Sequence, residues 1–90
     1  MNTHQNQKAI RKATAHLNTI YALCEDLTGE YGATAKPLLK HYSECFNYIS
    51  VVLLPQFGMT NDEIADLVMS IGETSPEVMG QIADHFHPVS

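Results

Sequence analysis

AIRKATAHLNTIYALCEDLTGEYGATAKPLLKHYSECFNYISVVLL, residues 9–54, is the stretch on which the fold turns. In its first half Ile10, Ala13, Leu17, Ile20, Cys24, Leu27 and Tyr31 alternate steps of three and four, the seam of a helix packed lengthwise on another. Lys8, Arg11, Lys12, Asn18, Thr19, Glu25 and Asp26 fall off that seam and form a polar face, while Tyr21 and Leu23 widen the apolar stripe at its middle. The second half places Leu38, Leu39, Tyr42, Cys45, Phe46, Ile49, Val52 and Leu53 on one side, with Lys40, Ser43, Glu44, Asn47 and Ser50 opposite. Residues 51–54 are apolar all round. The β-branched residues of 49–54 would also suit a buried strand, but the sequence offers no second strand to pair with it, so the run reads as helix.

Between the halves, Gly29 and Gly32 bracket a break, since glycine ends a helix in the left-handed conformation without strain. Thr34 followed by Pro37 fits an N-cap and a first-turn proline. So short a connection predicts an antiparallel helical hairpin over 1–54. Beyond Pro55 comes an acidic two-helix segment, 55–90. Thr60-Asn61-Asp62-Glu63 is a capping box that opens a third helix with Ile64, Leu67, Val68 and Ile71 on its apolar face and Gly72 at its end. Ser75-Pro76 opens a fourth, carrying Met79, Ile82, Ala83 and Phe86. The predicted architecture is all-α: a long antiparallel hairpin plus two shorter C-terminal helices, four in all, within the single domain 1–90.

Ninety residues with 44% hydrophobic and 17% charged side chains are ordinary globular composition for one small domain. Domains of this size bury a modest share of their surface, so the apolar turn at 51–54 calls for a further layer. That layer is either a second subunit, which makes Val51, Leu54 and Phe57 the candidate oligomer interface of a homodimer, or the third and fourth helices of the same chain. No apolar run approaches the ~18 residues of a membrane span, and the N-terminus lacks the apolar centre of a signal peptide, which together predict a cytoplasmic protein with no membrane contact. Cys24 and Cys45 are both core-facing and expected to be free thiols, because a hairpin turning near residues 32–33 sets Cys24 opposite 41–42 and leaves Cys45 out of register.

Charge is segregated. All five basic residues, Lys8, Arg11, Lys12, Lys36 and Lys40, lie in the first forty positions, whereas the last fifty hold only carboxylates: Glu44, Asp62, Glu63, Asp66, Glu73, Glu77 and Asp84. Asp62, Asp66, Glu73, Glu77 and Asp84 are the candidate partner-binding residues. The bland account is a solvated, well-capped helix pair, with Asp62, Glu63 and Glu77 placed where the helix dipole favours negative charge.

Residues 63–86 also look like a helix-turn-helix, but the glycine comes about one turn late after Ala65 and the would-be reading helix, 75–86, has no Lys or Arg. A DNA reader without cations on that helix meets repulsion rather than counterion release, so nucleic acid is disfavoured. No Ser-His-Asp grouping, glycine-rich phosphate loop or metal-ligand spacing stands out, and no enzyme activity, metal or cofactor is expected. His41 with Cys45, and His85 and His87 with Asp84, read as packing and solvated side chains. The sequence thus predicts a small helical protein that regulates or inhibits another protein by binding and masking a basic surface. A helix-turn-helix regulator of DNA is the alternative.

Overall fold

The seam of the first helix becomes the core of the molecule. In the computed structural model, which describes residues 3–85, α1 spans Thr3–Asp26 and buries Ala13, Leu17, Tyr21 and Cys24, with Ile20 half-buried beside them. α2 spans Lys36–Tyr48 and is prolonged by a π-helical turn, Ile49–Leu53, and a last α turn, Leu54–Gln56. α3 spans Asn61–Gly72 and α4 spans Pro76–Asp84. Among the described residues the fold is all-α with four helices, and the β-branched run 49–54 is helical. Phe86, expected on the apolar face of α4, and His87 lie outside the described residues.

The Cys24 thiol interacts with Ser43, so the chain has doubled back close to the register expected, an arrangement that fits a hairpin. Its turn differs from the predicted break. Leu27–Tyr31 is π-helical and Gly32–Ala35 is a 3-10 turn, so Gly29 sits inside a helical turn rather than ending one. Thr34 does not cap α2: the N-cap is Ala35, without a side-chain bond, because the 3-10 turn feeds directly into the helix and Lys36 N–H donates to the Ala33 carbonyl. Pro37 does lie in the first turn of α2. A π turn takes up one extra residue and shifts the phase of the seam, which leaves Tyr31 57% exposed at its end.

α2 is rotated from its predicted orientation. Leu38, expected inside, is 50% exposed, whereas Ser43 and Ser50, assigned to the polar side, are buried. The inward line is Leu39, Ser43, Phe46, Ser50 and Leu54, again at steps of three and four. Two serines on that line keep it narrow where it faces α1. Ser50 Oγ satisfies itself by donating to the Phe46 carbonyl at 2.9 Å, a bond back along the same helix. Ser43 Oγ is buried without a partner of good geometry, the Cys24 thiol interacting with it as a weak hydrogen-bonding group.

The second π turn has a local cause. The ring of Pro55 collides with the carbonyl four residues before it, that of Val51, in a regular α-helix. Widening the preceding turn, so that Leu54 N–H donates to the Ile49 carbonyl five residues back, lets the helix continue through the proline to Gln56. It then stops at Gly58, whose φ of +95° only glycine adopts cheaply. Gly58 N–H donates to the Pro55 carbonyl at 3.1 Å and Met59 N–H to the Leu54 carbonyl at 3.2 Å, the paired bonds of a Schellman ending, with Met59 and Leu54 meeting in the core.

α3 begins with the predicted capping box: Thr60 N–H donates to Glu63 Oε1 at 2.9 Å and Glu63 N–H to Thr60 Oγ1 at 3.2 Å. The Thr60 backbone N–H, and secondarily the Thr60 hydroxyl, stabilise the charged carboxylate and hold Glu63 below its ordinary pKa. α4 lies against both arms of the hairpin through Val78 and Ile82. Polar ties add direction to that contact. Tyr21 Oη donates to the Ser75 carbonyl at 2.8 Å and accepts from Ser75 N–H at 2.9 Å, Thr28 Oγ1 lies 2.9 Å from Gln81 Oε1, and Asn47 Nδ2 donates to the Ile82 carbonyl at 3.2 Å. The Cys24 carbonyl lies 2.8 Å from the same hydroxyl, so one Thr28 proton is shared between that carbonyl and Gln81 Oε1. Ser75 is thus the N-cap of α4 by position, but Tyr21 rather than the serine hydroxyl satisfies its backbone.

Candidate partner-binding surface

At about 100° per residue, Asp62, Asp66, Met69 and Glu73 fall along one side of α3, Glu73 still having helical backbone just past its end. All four are exposed, and Met69 keeps 69% of its surface, an apolar spot within an acidic line. Glu77 and Asp84, seven residues apart, mark one exposed side of α4, and α4 itself carries no lysine or arginine. Among the described residues these five carboxylates form no ion pair with a lysine or arginine. Lys8, Arg11 and Lys12 surround their own shallow depression on α1 together with Ala15. Asp84 differs from the other four, since it lines a depression of about 760 Å³ together with Lys36 and Lys40, whose charges offset its own.

The residues expected at an oligomer interface separate. Leu54 is 0% exposed within a single chain, a member of its hydrophobic core, and has no surface to offer a second copy. Val51 and Phe57 are half-buried, Phe57 against the core and Val51 in the wall of a groove. That groove, about 430 Å³, runs between the end of α2, α3 and α4, with Phe46 and Ile82 in its floor and Val51, Ile64, Val68 and Met79 in its walls. A second exposed apolar surface lies at the turn of the hairpin, where Leu23, Tyr31 and Leu38 line one depression with Leu27 and Tyr42. Neither feature is local in sequence, and the spacing of apolar residues marks neither of them.

Both cysteines are free, Cys24 buried and Cys45 half-buried. Burial pushes the Cys24 thiol above its ordinary pKa; the Ser43 contact lowers it and the neighbouring Cys45 raises it, both to a lesser degree. It is a packed thiol and a poor nucleophile. His41 is exposed, its ring edge-on to Tyr42 with centroids 5.6 Å apart. Among the described residues no three His, Cys, Asp or Glu side chains converge as metal ligands, and no helix is long and apolar enough to cross a membrane. No known protein family, curated protein or solved structure matches the chain.

Proposed function

We propose that this protein acts by binding another protein, as a regulator or inhibitor, and that it covers a basic surface of that partner with the carboxylates of α3 and α4. The observation that supports this reading is the exposed line Asp62, Asp66 and Glu73, which forms no ion pair with a lysine or arginine among the described residues. Uncompensated charge on a rigid helix raises the rate at which an oppositely charged surface is met, and disfavours partners of like charge. DNA fits worse, because α4 has no lysine or arginine to meet a phosphate and carries Glu77 on its exposed side.

Asp66→Lys with Glu73→Lys tests the reading. Both positions are exposed, and lysine near the C-terminal end of α3 suits the helix dipole, so melting behaviour should stay nearly unchanged. Binding to the partner, measured by stopped-flow at several salt concentrations, should lose association rate and most of its salt dependence. Equal affinity and rate for wild type and double variant at low salt would overturn the proposal.

A further inference from the structure

The acidic line and the apolar groove are neighbours. Asn61 and Ala65 of α3 line the groove, and Asp62 and Asp66 each follow one residue later, so the carboxylates stand one step round the helix from its wall. Glu44 comes one turn before Asn47, which lines the groove from α2. No lysine or arginine lines it. The result is a slot with apolar walls and a carboxylate rim.

Resting on the partner-binding reading above, we propose that this slot takes the apolar face of a basic amphipathic helix, whose lysines and arginines pair with Glu44, Asp62 and Asp66. Three considerations select that occupant. The charge of the rim requires a cationic ligand, and the apolar walls require one that is apolar on the inward side. A volume of about 430 Å³ is enough for a few aliphatic side chains and lies within the range of functional clefts. The described residues contain no strand whose edge could extend into a partner, so the helix-in-groove mode is the one the fold supplies. The basic end of α1 is a poor occupant in trans, because its exposed side, Lys8, Arg11, Lys12 and Ala15, has no large apolar residue to fill the slot.

Ala65 and Ala83 line the groove yet are exposed, so phenylalanine at either fills the slot from outside without entering the core. The probe is a synthetic peptide of leucine and lysine with leucines at i, i+3, i+4 and i+7, beside a scrambled version and one with glutamate for lysine. Wild type should bind the first peptide at low salt and neither control, and Ala65→Phe and Ala83→Phe should each weaken it by about tenfold or more at unchanged melting temperature. Any of three results overturns the groove: equal binding of the scrambled peptide, full affinity in both filled variants, or a dimer in light scattering that Ala65→Phe dissociates. Asp66→Lys with Glu73→Lys, run against the natural partner, keeps the two proposals apart. Loss of partner binding there, with the filled variants binding normally, retains the acidic surface and removes the groove.

Discussion

Tyr21 joins the two halves of the molecule through a single oxygen. Its ring is 6% exposed, and its hydroxyl both gives and receives a hydrogen bond at Ser75, 54 residues away. Tyr21→Phe keeps the ring and strands a backbone N–H and a carbonyl at the start of α4. The expected cost is about 1–3 kcal/mol, read as a lower urea midpoint at constant slope. An unchanged midpoint would mean that water serves Ser75 equally well. Sequence periodicity placed Tyr21 correctly inside the apolar stripe but carried no sign of its hydroxyl's partner. The inward serines escaped for the opposite reason: Ser43 and Ser50 keep the spacing of a seam, yet polarity assigns them outward, and only the close approach of α1 shows why a small residue belongs there.

Helix ends and helix faces differ in how far local chemistry decides them. The capping box at Thr60 and Glu63 was legible because all its groups lie within four residues. The π turns were not, since one answers a proline that follows it and the other the path of a hairpin. Gly72 and Gly80 show how tertiary contact sets the meaning of a residue. A Cβ at Gly72 would stand 2.9 Å from Met79 Cγ and 3.0 Å from Met79 Cβ, whereas at Gly80 it would meet nothing within 4 Å. Gly72→Ala should therefore destabilise the protein, by about 1–3 kcal/mol as overpacking does, while Gly80→Ala should stabilise it by about 0.5–1 kcal/mol through helix propensity. Chemical denaturation of the two variants side by side checks the signs; a loss at Gly80 or a gain at Gly72 contradicts the packing described.

The whole molecule is elongated, 45 × 26 × 18 Å, with α1 accounting for most of its length. Its parts are unequally held. α4 is tied at Tyr21, Thr28 and Asn47, while α3 rests on the half-buried Ile64, Leu67 and Val68 and the buried Ile71, without such ties among the described residues. Hydrogen exchange under native conditions should show amides such as Leu67 and Val68 opening at lower free energy than Leu17 and Phe46. Uniform protection would refute this hierarchy. The composition and helical periods of the chain disclosed the four helices and the acidic stretch, but the groove, whose walls come from three separate helices, exists only once they are assembled.

The bond between Tyr21 and Ser75 also fixes an order of events during synthesis. At roughly 5–20 residues per second, the ribosome needs about 3–11 s to travel from the codon of Tyr21 to that of Ser75. A helix forms in about a microsecond, so α1 can form many times over before Ser75 exists to meet it. Until then the Tyr21 hydroxyl lacks its partner, and Val78 and Ile82 are not yet there to be buried against α1 and α2.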